Sequence, residues 1–230
     1  GKYIFEKIKS FLIKKNLINE NWNSLNILTQ NASTVGLLDL KILQTATQNN
    51  FFSNLENKKF KLLYLLGSDN LDFKKNNEFV VYQGSHGDRG AEIADIILPS
   101  VAYTEQNGLY ENLEGRLQEC KKASYPIGES LEDWKIFNQV IKKLDNQEKT
   151  LNFDQLRTEV LNNIPNFSDL NSLPKIRETK KNEIEADFIS EEVVIRELDY
   201  YYTNSISRSS KTMSECRQIR QKIKKDGTNN

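Results

Sequence analysis

The segment GSHGDRG, residues 84–90, sets His86 and the Asp88-Arg89 pair among three glycines, and a short apolar run, Ala94–Leu98, follows before Pro99 stops it. Each of these residue types could do chemistry. A histidine in a glycine loop can act as a base or a metal ligand, and glycines in such a loop can let a backbone approach a phosphate. Five of the ten glycines fall between Val81 and Cys120, at 84, 87, 90, 108 and 115. Their spacing is neither G-x-G-x-x-G nor G-x-x-x-x-G-K-[ST], and no lysine follows to meet a phosphate. His86 is the sole histidine and has no cysteine or carboxylate at ligand spacing. A base needs an oriented partner, so a loop histidine that hydrogen-bonds locally is the favoured reading. Asp88 and Arg89 read as a local ion pair or as anchors for backbone amides.

The remaining candidates point the same way. Two cysteines, Cys120 and Cys216, cannot supply the four thiolates of an iron–sulfur cluster or of an all-cysteine zinc site. Their separation leaves a disulfide formally possible, but two lone thiols read more simply as reduced and buried. Between Ser85 and Cys120, seven acids (Asp88, Glu92, Asp95, Glu105, Glu111, Glu114, Glu119) face only Arg89 and Arg116. A cluster of that sign would repel a pyrophosphate. In ENLEGR, Asn112 reads as satisfying loop amides and Arg116 as pairing with an acid, with ligand reading by Asn112, Glu114 and Arg116 as the alternative. Trp134 lies on an apolar helical face and reads as core. No residue is assigned a catalytic, cofactor-binding or metal-ligating role.

The elements that position these residues follow from periodicity. FKLLYLL at 60–66, EFVVY at 78–82 and ADIIL at 94–98 are compact apolar runs that each end at a turn-forming loop. The crossover-sized segments between them predict a parallel sheet flanked by helices, with ADIIL deeply buried. Helices are predicted over Lys2–Lys15, broken by Asn16 and Asn19, and over Asn31–Leu40 with Ser33 or Asn31 as cap and Val35, Leu38 and Ile42 inward. Gly36 there permits a close approach. Asn107-Gly108 predicts a turn, followed by an extended segment with a bulge or kink at Gly115. A helix capped by Ser130 carries Leu131, Trp134, Ile136, Phe137, Val140, Ile141 and Leu144, and another spans Phe153–Leu161, ended by Pro165. Residues 166–187 read as a polar surface connector. Ile206, Met213, Cys216, Ile219 and Ile223 predict one terminal amphipathic helix over Ser205–Lys225, basic outside, stopped at Asp226-Gly227 and covered by a partner subunit.

Composition bounds the answer without deciding it. The 230 residues carry 32 basic and 32 acidic side chains, so no bulk field recruits nucleic acid. The apolar fraction of 37% and a mean hydropathy of −0.64 reflect abundant Asn and Lys, a coding bias toward A and T bases. No apolar run approaches the ~18 residues of a membrane span.

Read as words, GSHGDRGAEIADIILPSVAYTEQNGLYENLEGRLQ resembles the signature of the large iron–sulfur subunit of respiratory complex I, the 75 kDa or bacterial G type, whose C-terminal half resembles molybdopterin oxidoreductases. WNSLNILTQNASTVGLLDL at Trp22–Leu40, EDWKIFNQVIKKL at Glu132–Leu144 and YYTNSISRSSKTMSEC at Tyr201–Cys216 agree with the same family in the same order. The chain departs from the pattern at Ser85, in place of a second histidine, at Ser100, in place of a glycine, and at Leu109 and Leu113, in place of small or hydroxylated residues.

The resemblance implies an α/β, Rossmann-like domain over residues 1–144, a helix plus polar connector over 145–200, and a basic helical extension over 201–230. It implies membership of NADH:ubiquinone oxidoreductase, which passes electrons from NADH to ubiquinone and couples this to proton pumping. Nothing here resembles the cluster-bearing N-terminal half, and the sequence starts at Gly1 without Met, so a split or partial subunit is expected. The iron–sulfur clusters would lie on the missing half or a partner chain. The expected location is the peripheral arm, on the matrix side of the mitochondrial inner membrane, or a bacterial counterpart, among other subunits of the complex. Two other readings remain: a domain of a molybdopterin-dependent oxidoreductase that retains its cofactor, and a stand-alone α/β interaction module.

Overall fold

The computed structural model describes residues 2–19, 21–29, 31–32, 34–42, 45, 50–68, 74–145, 150–163, 170–172 and 199–225. Their elements, in chain order, are α1 (Lys2–Lys14), α2 (Thr34–Asp39), α3 (Phe51–Glu56), β1 (Leu62–Leu66), β2 (Phe79–Gly84), α4 (Arg89–Glu92), β3 (Ile96–Pro99), a 3₁₀ turn at Tyr103–Glu105, β4 (Gly108–Glu111), β5 (Leu117–Cys120), α5 (Asp133–Asp145), α6 (Phe153–Asn163), α7 (Ser205–Ser209) and α8 (Lys211–Lys225). Contacts group the chain into two units, one of residues 1–43, 109–119 and 160–196, the other of 44–108, 120–159 and 197–230. This partition interleaves the three segments expected from the sequence.

The second unit holds the parallel sheet, in the order β1-β2-β3. Tyr64 pairs with Val81 and Val81 with Ile96, while Leu65 pairs with Tyr82 and Tyr82 with Ile97. Side chains alternate between faces along a strand, so Tyr64 and Gln83 share one face and Tyr82 and Gly84 the other. The strands fall where the three apolar runs placed them. Val80 and Tyr82 on central β2 and Leu63 on β1 are buried. On β3, by contrast, Ile96 and Ile97 are 46% and 53% exposed, so ADIIL is not the deeply buried strand its composition suggests. It lies at a sheet edge, where an apolar run has no second neighbouring strand to cover it.

Helix α5 packs on the Tyr64 face, with the Phe137 ring stacked on Tyr64 at 5.6 Å between centroids. The helix begins at Asp133 and not after Ser130. Leu131 continues the sheet as a parallel bridge to Ser100, and the Ser130 hydroxyl donates back to the Ile127 carbonyl at 2.7 Å, so Ser130 is no cap. Trp134 is half-buried, its indole N–H donating to Glu132 Oε2 at 2.6 Å. Helix α6 is capped reciprocally, Asn152 Oδ1 accepting from the Gln155 amide and Gln155 Oε1 from the Asn152 amide. Pro165 lies outside the described residues.

In the first unit α1 forms as its periodicity predicts, and Asn16, at φ 55°, ends it. Its apolar face is uncovered, with Ile4, Ile8 and Phe11 each about half exposed. Helix α2 is shorter than Asn31–Leu40, and Leu38 and Ile42 are exposed, not inward. Ser33 lies outside the described residues. Gly36 sits against Glu111, where an added Cβ would meet that side chain at an ordinary 3.7 Å. The segment after Gly108 is a two-stranded hairpin, β4-β5. Gly115, at φ 81°, is in its turn and not in a bulge. Helix α3 has no counterpart in the sequence reading.

The terminal amphipathic stretch forms two helices. Ser210 adopts an extended φ of −82° and ψ of 122° between α7 and α8, which breaks the single helix that the spacing suggests. Asp226-Gly227 lies outside the described residues, as do residues 166–169 and 173–187 of the expected connector. Among the described residues no helix is long and apolar enough to cross a membrane.

Core and edge positions should separate in mutagenesis. Leu63→Ala, at a site only 7% exposed, is expected to destabilise the fold by about 2–5 kcal/mol. Ile97→Ala should cost the isolated chain under about 0.5 kcal/mol. Denaturant unfolding of both variants checks the contrast, and equal losses would contradict the edge assignment.

Candidate functional site

Ligands of open α/β sheets bind outside the carboxyl ends of the strands, so the candidate site is the end where β1, β2 and β3 give way to loops. Gln83, on central β2, is fully buried there. A carboxamide at that depth must find partners for its donors and acceptor. The Tyr64 hydroxyl donates to Gln83 Oε1. Gln83 Nε2 donates to Asp133 Oδ1 at 2.7 Å. The same oxygen accepts from the Ser100 hydroxyl at 2.5 Å, and Asp133 Oδ2 accepts from Gln106 Nε2 at 3.2 Å. Asp133 lies in the first turn of α5, where the helix dipole favours a carboxylate. Burial first, and then the negative field of Asp133, push the Tyr64 hydroxyl above its ordinary pKa, which keeps it a donor. Side chains of the chain itself therefore fill this end of the sheet.

The glycine loop makes the same point from the opposite face. A Cβ on Gly84 would lie 2.3 Å from the Tyr82 hydroxyl, and one on Gly90 would lie 2.5 Å from the Ser68 carbonyl and 2.9 Å from the Tyr82 ring. Tyr82 is buried, and its hydroxyl donates to the His86 carbonyl at 2.8 Å. The missing side chains at 84 and 90 thus make room for a phenol ring. His86 hydrogen-bonds locally, its Nδ1 2.9 Å from the Ser85 hydroxyl. Ser85 and Ser100, two departures from the family pattern, are both absorbed into hydrogen bonds within the chain.

The acids of this region draw partners from elsewhere in the sequence. Asp95 accepts from Lys75 Nζ at 2.6 Å and from the Val80 amide at 2.7 Å. Asp88 does anchor a backbone amide, that of Arg89, at 2.8 Å, but its ion-pair partner is Arg208 at 2.6 Å and not Arg89. A short-range reading could not supply a partner 120 residues away. Asn112 Oδ1 accepts from the amides of Glu114 and Arg116, as a loop-satisfying residue should. The buried Nε of Arg116 has no hydrogen-bond partner among the described residues, and its expected pairing with an acid is not seen among them. Cys120 and Cys216 are free and half-buried. Among the described residues, no three His, Cys, Asp or Glu side chains group as a metal set.

The residue that sequence reasoning missed is Asp133. It lies three residues after Ser130, the spacing of a capping-box acid, and nothing local indicates that its carboxylate turns toward the sheet.

A parallel sheet with helical cover and a glycine loop after its second strand defines a class, and comparison with known proteins agrees. The family model for molybdopterin oxidoreductases matches residues 1–143, and the chain belongs to that family. A second model, for the C-terminal part of the NADH-ubiquinone oxidoreductase G subunit, matches residues 175–216. The chain is 37% identical over 222 residues to the NADH-ubiquinone oxidoreductase 75 kDa subunit of Reclinomonas americana, covering 95% of this chain and 32% of that protein. It is 37% identical to the NADH-quinone oxidoreductase G subunit of Rickettsia bellii, covering 99% and 32%, and 35% identical to the mitochondrial NADH-ubiquinone oxidoreductase 78 kDa subunit of Neurospora crassa, covering 94% and 29%. It spans about a third of the length of these relatives. The family implies a molybdopterin cofactor, and the residues at this edge do not fit one. The glycine clearances are taken by Tyr82, and the Asp133 carboxylate, an acceptor only, faces the chain's own donors.

Two outcomes test the site. Asp133→Ala orphans the buried Gln83 amide and should destabilise the fold by about 1–3 kcal/mol in denaturant unfolding. No loss would mean that the network is not formed. The second concerns pH. Hydrogen bonding from Lys75, foremost, and from the Val80 amide holds the Asp95 carboxyl below its ordinary pKa. A depressed folded pKa gives stability that is present above the unfolded value and lost as pH falls through the folded one. Wild type should therefore exceed Asp95→Asn in stability at pH 7, and the gap should close below about pH 4. A gap that persists at about pH 2 would contradict the assignment.

Proposed function

We propose that the chain is non-catalytic framework: the C-terminal, molybdopterin-oxidoreductase-like part of the large iron–sulfur subunit of NADH:ubiquinone oxidoreductase, complex I. In this reading residues 1–144 form the α/β body, 145–200 the helix and connector, and 201–230 the extension. The chain itself binds no cofactor, and the iron–sulfur clusters that carry electrons from NADH toward ubiquinone sit on other parts of the subunit or on a partner chain. It packs among other subunits in the peripheral arm, on the matrix side of the mitochondrial inner membrane.

One observation carries the non-catalytic reading. The end of the sheet where this fold takes ligands is filled by Tyr64, Gln83, Ser100, Gln106 and Asp133, bonded to one another. Membership of the complex is supported by similarity to the 75 kDa and G-type proteins along nearly the whole chain and by the separate match at residues 175–216. The exposed apolar residues of α1, β3 and α8, among them Phe11, Ile97 and Ile219, suit a chain with subunit neighbours.

The test is purification of NADH:ubiquinone reductase from detergent-solubilised membranes, with peptide mapping and metal analysis of the active fraction. Peptides of this chain should co-purify stoichiometrically with the activity, with iron but no molybdenum or tungsten. Recovery of the chain only as a free species would overturn complex membership, and stoichiometric molybdenum or tungsten would overturn the non-catalytic reading.

A further inference from the structure

Asp88 belongs to the glycine-loop motif, yet its carboxylate serves two distant parts of the chain at once. Oδ1 accepts from the Arg89 amide at 2.8 Å and caps α4, and Oδ2 accepts from Arg208 Nε at 2.6 Å. The Arg208 side chain is only 15% exposed. A guanidinium that has given up most of its water holds its place through directed bonds to a carboxylate. The two partners also come from different family segments, Asp88 within residues 1–143 and Arg208 within 175–216.

The segment that carries Arg208 is held in shape by its own contacts. Asn204 caps α7, its Oδ1 accepting from the Ser207 amide at 2.9 Å while the Ser207 hydroxyl returns to Asn204. Asp199 pairs with Arg217 of α8, and the Arg217 guanidinium lies 4.4 Å from the centre of the Tyr202 ring. Arg220 lies 5.5 Å from the centre of the Tyr200 ring. Tyr200–Tyr202, α7 and α8 are thus tied together, with Arg208 projecting to the glycine loop.

We propose that Asp88–Arg208 is a latch: it docks the C-terminal helical segment onto the glycine loop of the molybdopterin-oxidoreductase-like body, and the segment undocks as a unit when the pair is broken, leaving the parallel sheet folded. The latch gives Asp88, in the glycine-loop motif, a positional role. It also separates two kinds of stability in one chain, that of the sheet and that of the docked segment.

Amide hydrogen exchange on the full-length protein tests this, with Arg208→Ala, Asp88→Asn and the double variant. Asparagine keeps the helix cap and removes the charge, so Asp88→Asn isolates the latch from the capping role. Both single variants should speed exchange across residues 205–222 by about tenfold, leave β1, β2 and β3 unchanged, and be no worse when combined. Unchanged exchange at 205–222 would overturn the proposal. So would additive effects in the double variant, or loss of protection in the sheet together with the segment.

Discussion

The second unit depends on satisfying one buried carboxamide. Gln83 sits fully buried on the central strand of the sheet, where water cannot reach its oxygen or its two N–H groups. Meeting that demand fixes the surroundings. Tyr64 must lie beside it on β1, Asp133 must arrive on the first turn of α5, and Ser100 must follow β3 closely enough to share the same carboxylate. The parallel register, the start of α5 and the bridge between Ser100 and Leu131 are thus one linked solution. A partly satisfied network would cost more than an apolar core, which gives such an arrangement its specificity.

Single positions at the carboxyl end of the sheet turn their polar groups toward the chain itself. Serine at 100 supplies a hydroxyl to Asp133, and serine at 85 supplies one to His86. Tyr82 places a phenol in the clearance of two glycines. None of these residues is unusual by itself. Together these bonds commit donors and acceptors of this edge within the chain, and this supports reading the body as framework.

The strands were legible because each is a compact apolar run between turn-forming residues, and a run of that kind has few other ways to be buried. Helices α1, α5 and α6 were legible from their 3.6-residue period, although Ser130 mimics a cap and so displaces the expected start of α5. What composition could not report was exposure. Ile96 and Ile97 read as interior and lie at an edge, since apolar character says only that a residue benefits from cover and not whether this chain provides it. At Gly115 a hairpin turn and a bulge read alike because both need a positive φ there. Long-range polar pairs were illegible altogether. Neither the Gln83–Asp133 bond nor the Asp88–Arg208 pair has a local signature, because spacings of 50 and 120 residues obey no periodic rule.

The Asp95–Lys75 and Asp88–Arg208 ion pairs show how acids of a strongly acidic motif are held in a chain of neutral net charge. Two acids of the motif meet cations brought by other segments: Asp95 takes its lysine from the approach to β2, and Asp88 takes its arginine from α7. Acids grouped around a turn would repel one another in isolation, and they raise the free energy of the loop until the cations arrive. The stretch from Gly84 to Asp95 is therefore incomplete as a local structure. Asp88 and Asp95 are anchored by cations that other segments bring, so residues that suggest a ligand site in the sequence act as anchoring points for the chain.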